Sequence, residues 1–520
     1  MKQYIPSVKG LKKSNNPFKN LIYTCFVCVS IISCDKNFDN PIEDEPARSS
    51  GSADFSTFVS IGDSITAGYA DAALYRSGQE NSYPAILAEQ FARAGGGNFF
   101  QPLMNDNLGG LLFSENENPE FANRLVLDAE ALSPEPIAGA PTTEVIDAAP
   151  LTGPFNNVGV PGAKSFHLAA EGLGNPAGLA TDPLSANPYY VRFASSATSS
   201  IIGDAAAQQP TFFILWIGNN DILSYATSGG IGVDQTNPVT DPATYGSNDI
   251  TNTIVFDTLY GQLLGAMTTA SPDAKGVLVN VPDVTTIPYF TTVPYNAVPL
   301  DQATADTLNA AYTAYNDGLE LARLGSAIDQ TEKDAREISF VAGQNPVVIL
   351  DEDLTDLTGL DAALVNMRLA TAEDLVILPT RTKIGQPVDP TDENSLVWGV
   401  SAPLLDGDVL TKIEVATVET ARTAFNTSIQ TAADADDDLI MFDVAAVMTA
   451  LATTEGIALS DGSNITATYA TGGAFSLDGV HPTSRGYAVI ANRMISDINS
   501  NFGANVPTVA AEFFPTIYLK

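Results

Sequence analysis

Three residue types are scarce in this chain. Histidine occurs only twice in 520 residues, at His167 and His481. Cysteine occurs three times, at Cys25, Cys28 and Cys34. Basic side chains number 24 against 61 acidic ones, a formal net charge of −37. Each shortage excludes something. An Asp three residues before a His can ligate metal, but a metal site needs further ligands nearby, so no metal is expected. Nucleic-acid binding requires a basic face that this composition does not supply. Adhesion to anionic lipid by charge is disfavoured on the same ground. The N-terminal apolar run, residues 21–33, has 13 residues and is too short to span a bilayer. No fixed-period repeat is visible.

That short run suits the core of a secretory signal. Lys2, Lys9, Lys12, Lys13 and Lys19 precede it with no acid among them. It ends in Ile31-Ile32-Ser33-Cys34, which resembles the lipobox of bacterial lipoproteins. In that class the cysteine is acylated and becomes the first residue of the mature protein. The resemblance therefore implies a signal peptide over residues 1–33, lipidation at Cys34 and a lipid anchor in the bacterial cell envelope, with the outer membrane the expected site. Lipoprotein anchors carry several acyl chains, which stable attachment requires. Cys25 and Cys28 would leave with the signal, so no disulfide is expected. Residues 34–54 hold Pro41, Pro46 and a group of acids that includes Asp35, Asp39, Glu43, Asp44 and Glu45. Such a stretch buries too little apolar surface to fold alone and reads as an acidic tether. The mature chain would have 520 − 33 = 487 residues, with 24 − 5 = 19 bases against 61 acids, a net charge near −42. The full chain's apolar fraction of 45% supports a large core.

Five short apolar runs have the length and composition of buried strands: residues 58–61, 155–158, 212–217, 277–281 and 439–442. Between them lie helical patterns. Leu308, Tyr312, Tyr315 and Leu319 share one face, as do Val418, Ala421, Phe425 and Ile429. Tyr487, Val489, Ile490, Met494 and Ile498 suggest a closing helix. Continuous apolar strands alternating with amphipathic helices predict an α/β fold with a parallel sheet covered on both faces. Residues 95–154 and 291–419 do not fit a minimal sheet and are expected to be insertions over the crevice, the second mostly irregular after one good helix. One large domain is expected over 55–505, with 506–520 a C-terminal tail. The acids Asp434, Asp436, Asp437 and Asp438 lack the glycine and terminal glutamate of a calcium loop and read as a solvated turn.

Chemistry-bearing residues follow the first three runs. Ser64 comes after the first, Gly162 after the second and Asn220 after the third. In open α/β sheets the working crevice lies beyond the carboxyl ends of the strands, so these groups converge on one edge. Asp478 stands three residues before His481, a spacing that lets both side chains leave one turn. A serine that attacks needs a base, and the base needs a carboxylate to orient it.

Four blocks carry a family resemblance. Val59-Ser60-Ile61-Gly62-Asp63-Ser64-Ile65-Thr66-Ala67-Gly68-Tyr69 resembles the nucleophile block of the SGNH hydrolases, the GDSL esterases and lipases, with Ile65 where Leu is usual. Asn157-Val158-Gly159-Val160-Pro161-Gly162 resembles their glycine block, Gly218-Asn219-Asn220-Asp221 their Gly-x-Asn-Asp block, and Asp478-Gly479-Val480-His481 their Asp-x-x-His block. The matches cover roughly residues 55–290 and 420–500. The resemblance makes 55–505 a hydrolase domain and implies a three-layer αβα sandwich on a five-stranded parallel sheet of the flavodoxin-like kind. It implies Ser64, His481 and Asp478 as nucleophile, base and orienting acid, and no cofactor. It implies an oxyanion hole of the Ser64 and Gly162 backbone N–H groups and the Asn220 amide, Gly159 being the competing glycine. The serine is not in a Gly-x-Ser-x-Gly elbow, and acid and histidine are only three residues apart, which separates this pattern from the α/β-hydrolases. Asp63 and Asp221 are expected to brace the loops, Trp216 to pack beneath Asn220, and His167 to be a partly buried loop or helix residue. The expected substrate is a carboxylic ester: a lipid, a short acyl ester or an acetylated glycan. The competing reading is an inactive envelope lipoprotein that binds a lipid or glycan on the same scaffold.

Overall fold

The computed structural model describes residues 47–181, 183–236 and 241–520. The signal-like run, most of the acidic tether and the expected lipidation site Cys34 lie outside the described residues. Among the described residues no helix is long and apolar enough to cross a membrane.

Five strands form the central sheet: β1 (Phe58–Gly62), β2 (Asn157–Gly159), β3 (Phe212–Trp216), β4 (Lys275–Val279) and β5 (Leu439–Phe442). All neighbours pair in parallel, in the order β2-β1-β3-β4-β5. That is the flavodoxin-like order of an α/β sandwich, whose switch point lies at the first strand of the chain. β1 and β3 are buried at every position, as a strand covered on both faces requires. The second run begins two residues late as a strand. Just before it, the Asn156 side-chain amide donates to the Phe58 carbonyl at 3.1 Å, and the Asn156 N–H to the Phe100 carbonyl at 2.8 Å.

Seven helices matter below: α1 (Ser64–Ala67), α2 (Tyr83–Ala92), α3 (Asn220–Thr227), α4 (Thr253–Ala270), α5 (Gln302–Leu324), α6 (Lys412–Asp434) and α7 (Ser484–Phe502). The crossover helix α2 packs with the closing helix α7, and the crossover helices α4 and α6 pack with each other. Aromatic side chains fill the first interface: Phe55 stacks on Phe91 at 4.0 Å, and Phe212 meets Phe502 edge-on at 5.9 Å. In the second, Phe256 of α4 stacks on Phe425 of α6 at 4.0 Å. Trp216, 1% exposed, lies in the core with Tyr83 at 5.3 Å.

The second insertion differs from its expected irregular form. Besides α5 it holds a short helix (Gln330–Arg336) and three antiparallel pairs, Val298–Leu300 with Gly343–Asn345, Val348–Leu350 with Met367–Leu369, and Leu375–Val376 with Val409–Leu410. Strands of two or three residues are too short for any periodicity to show in sequence. The insertion has its own core, with Tyr312, Leu319, Phe340, Val348 and Leu364 buried together. Arg336 is 0% exposed, and its guanidinium donates to the carbonyls of Thr355 at 2.8 Å and Val365 at 3.0 Å. The stretch 291–419 also ends too late as drawn from sequence: α6 starts at Lys412, and its buried residues from Val418 onward belong to the principal core.

Both ends of the described body are docked. The Ser52 N–H donates to the Phe502 carbonyl at 2.8 Å, and Ala53 is buried, so the tether's last residues belong to the sandwich. The tail is bound as well. Val506 and Ala511 are buried, and the Leu127 N–H donates to the Tyr518 carbonyl at 2.8 Å.

Candidate active site

The turn that carries Ser64 follows from β1. The strand stops at Gly62, where a Cβ would lie 2.3 Å from the Trp216 carbonyl of β3. Asp63 then caps α1, accepting the Ile65 N–H at 2.9 Å. Its other oxygen accepts the Asn219 amide at 2.8 Å, which ties this turn to the one after β3. Burial pushes the Asp63 carboxyl up to about 6, against the pull of those two hydrogen bonds. Ser64 is the first residue of α1, so its N–H has no partner within the helix.

Parallel register sets the other two turns beside this one, since Gly62 pairs with Trp216 on one side and Gly159 on the other. Gly159 is a packing glycine. A Cβ there would lie 2.3 Å from the Ala67 nitrogen, and its N–H already donates to Asn157 Oδ1 at 3.0 Å. Gly162 is different. It is exposed, its φ is +79°, and a Cβ would meet nothing within 4 Å. Glycine is needed there for the left-handed backbone rather than for clearance. Among the described residues its N–H has no acceptor. Asn220 opens α3, and its amide donates to the Ala163 carbonyl at 2.9 Å, leaving its second amide hydrogen to spare. The adjacent Asp221 is fully buried and holds Ser165 by its N–H at 2.8 Å and its hydroxyl at 2.6 Å. Burial raises its pKa.

The segment before α7 returns to this edge. His481 Nε2 lies 2.9 Å from Ser64 Oγ, and His481 Nδ1 lies 2.9 Å from Asp478 Oδ2. Asp478 can only accept when ionised, so Nδ1 carries the proton and Nε2 faces the serine as an acceptor. Asp478 Oδ1 accepts the N–H groups of Val480 and His481, each at 2.8 Å, and Oδ2 also accepts the Ala72 N–H at 2.9 Å. Burial alone would raise this carboxyl. The charge and hydrogen bonds of His481 outweigh it, with help from Ala72, and hold it at about 2. The Tyr69 ring lies 4.7 Å from the imidazole. Gly479, at φ +73°, is backed by two segments: its carbonyl accepts the N–H of Tyr289, just before the second insertion, at 2.9 Å, and a Cβ would meet Cδ2 of Leu378, within that insertion, at 2.9 Å.

Several contributors had no visible signal in sequence. The Ala72 N–H is one, because any residue offers a backbone donor. Asn219 is another, its amide bracing the Asp63 carboxylate. His167 does not touch the triad. Its Nδ1 accepts the Lys164 N–H at 3.0 Å, and burial with the nearby Lys164 charge lowers its pKa to about 4. With Gly162, Phe166 and Tyr245 it lines a cleft of about 800 Å³. Of the acids at 434–438, Asp438 pairs with Lys275 and Asp436 accepts the Asp438 N–H at 3.0 Å, a turn held by its own bonds. Among the described residues, one acidic group could share an ion: Glu352, Asp406 and Glu414, with ligand oxygens within 4.8 Å of one another. None of the triad belongs to it.

An attacking hydroxyl, a base facing it, an ionised acid behind the base and open N–H groups on one sheet edge can together perform acyl transfer. The chain matches the family model of the GDSL-like lipases and acylhydrolases over residues 58–494. Neither a curated protein nor a solved structure matches it.

Proposed function

Because the chain belongs to the GDSL-like lipase/acylhydrolase family, and is thus a hydrolase of the esterase and lipase kind, we propose that it cleaves carboxylic esters through a Ser64 acyl-enzyme. Ser64 Oγ attacks the ester carbonyl while its proton passes to His481 Nε2. Asp478 keeps the imidazole in the required tautomer and stabilises the imidazolium. The tetrahedral oxyanion is met by the N–H groups of Ser64 and Gly162 and by the Asn220 amide. The carbon–oxygen ester bond then breaks, and the alcohol leaves with the proton from His481. Water attacks the acyl-serine by the same route in reverse, giving the acid and restoring the hydroxyl.

The observation that carries this reading is the unbroken relay from Ser64 Oγ to His481 to Asp478, with both steps at 2.9 Å. A p-nitrophenyl ester assay of the parent and Ser64→Ala tests it. The variant should lose nearly all turnover; equal rates reject the reading. Acyl chains from two to sixteen carbons, run beside acetylated xylan and pectin, then choose among lipid, short acyl ester and acetylated glycan. We also propose attachment to the cell envelope through an acylated Cys34, supported by the sequence around it. Labelled palmitate should enter the parent and not Cys34→Ala.

A further inference from the structure

The chain between α1 and α2 contains a turn that is hard to explain by folding alone. Ala70 and Ala73 exchange two backbone hydrogen bonds, each 3.1 Å, and the two residues between them are both left-handed. Asp71 has φ +53° and Ala72 φ +61°. This is the two-residue turn for which Asn-Gly is the common choice, because a side chain at positive φ is strained. Asp tolerates that region; Ala does so only under constraint. The Ala72 methyl is exposed and gains nothing by packing. Strain of this sort persists where the surroundings impose it, and it clusters at working sites.

The constraints are visible. The Asp71 N–H donates to Ser476 Oγ at 2.8 Å, and Asp71 Oδ1 accepts the Leu477 N–H at 3.1 Å. Asp71 Oδ2 accepts the Tyr75 hydroxyl at 3.0 Å. The Tyr69 hydroxyl donates to the Ala72 carbonyl at 2.6 Å, and the Leu125 N–H donates to the Asp71 carbonyl at 2.8 Å. Asp71 is 1% exposed. The turn is thus clamped to the two residues just before Asp478. Its outcome is one aimed donor: the Ala72 N–H, 2.9 Å from the same Asp478 oxygen that faces His481.

We propose that the Asp71–Ala72 turn is a positioning element of the reaction, with Asp71 fixing the segment that carries Asp478 and the Ala72 N–H fixing its imidazole-facing oxygen. This rests on the Ser64 hydrolase reading above. The Ala72 N–H completes the hydrogen bonding of Asp478 Oδ2, so that oxygen cannot rotate away from His481 without losing a bond. Asp71 itself touches neither substrate nor reacting atoms. It acts through Asp478.

The test uses the full chain and a p-nitrophenyl ester. Misplacing a reacting group by about 1 Å can cost on the order of 100-fold, so Asp71→Ala should lower kcat by roughly 10- to 100-fold with KM little changed. Asp71→Asn keeps an acceptor oxygen and tolerates the left-handed region, and should return kcat close to the parent's. The downfield proton resonance of His481 Nδ1–H should broaden or vanish in Asp71→Ala and reappear in Asp71→Asn. Should Asp71→Ala fail to fold, Ser476→Ala removes the acceptor of the Asp71 N–H and should lower kcat by a smaller factor, again with KM held. Parental kcat in Asp71→Ala or, where that variant does not fold, in Ser476→Ala overturns the proposal. So does a loss in Asp71→Asn as deep as in Asp71→Ala. If Ser64→Ala is inactive and these variants are not slowed, only the positioning role fails; if Ser64→Ala keeps the parental rate, the hydrolase reading fails first.

Discussion

The two halves of the candidate site are held by different means. The half with Ser64, Gly162 and Asn220 grows directly out of adjacent strands, and parallel pairing fixes its spacing. The half with Asp478 and His481 belongs to no strand of the central sheet. It is held by loops from elsewhere: the Asp71–Ala72 turn, the Tyr289 N–H and Leu378 of the second insertion. The first half is a consequence of the fold. The second is an assembly of remote pieces, and it is the one that mutations at a distance should disturb.

Substitutions can sharpen that contrast. The largest effect is expected at the acid. Asp478→Asn presents its amide or its oxygen to Nδ1 without charge, favours the wrong imidazole tautomer and should lower kcat by about 10⁴-fold with the fold intact. Next comes the strand-borne half. Asn220→Ala removes one oxyanion donor and should cost about 10²- to 10³-fold in kcat. It also removes the hydrogen bond to the Ala163 carbonyl that steadies the neighbouring loop. Gly479→Ala attacks the assembled half from behind. The new methyl meets Leu378 and Tyr289 at positive φ, and the loss of about 1–3 kcal/mol by denaturant unfolding should come with a fall in kcat. An equally large stability loss with parental kcat would show that the loop does not depend on its backing.

Smaller still is an effect of pH on stability. Burial pushes Asp63 and Asp71 up to about 6 in the folded protein, above the ordinary 3.8. Each therefore binds its proton more tightly folded than unfolded. Their contribution is fully present below about 3.8 and is lost as pH rises through about 6. Acids such as Asp478, held at about 2, act oppositely only below about 4. Buried His167, lowered to about 4 from 6.5, acts oppositely inside the window and offsets part of the effect, while Glu414, also pushed up by burial, adds to it. The melting temperature should thus be a few degrees higher at pH 5 than at pH 8, as calorimetry would show. A melting temperature that rises from pH 5 to pH 8 contradicts it. In the same ranking Ala72→Gly should stabilise by at most about 1 kcal/mol, since it relieves a left-handed alanine at the cost of a freer unfolded chain.

The same division explains what the sequence made legible. Strands β1, β3, β4 and β5 stand out as short apolar runs, broken only by Ser60 inside β1, Gly62 at its end, and Lys275 and Gly276 at the start of β4. The long helices α5, α6 and α7 stand out because Tyr312, Phe425 and Ile498 recur at helical spacing. The candidate site was readable for a related reason: Ser64 and Asn220 sit where strands end, and Asp478 and His481 share a turn. What holds the second half was not readable. A left-handed alanine leaves no trace in composition, and the donor at Ala72 is backbone. The two- and three-residue pairs of the second insertion are shorter than any period. Nor does the sequence of residues 506–520 announce that Tyr518 will bond to Leu127, two residues beyond the partner of the Asp71 carbonyl.

Ser64 and His481 are separated by 417 positions along the chain. On the proposed mechanism, a ribosome that has finished the serine's end has produced nothing able to cleave an ester, and neither has a proteolytic fragment that keeps one partner alone. Only when nearly the last helix has emerged and folded back can the reaction begin. The proposed hydrolysis is in this way withheld until the imidazole has been made and carried back to the hydroxyl.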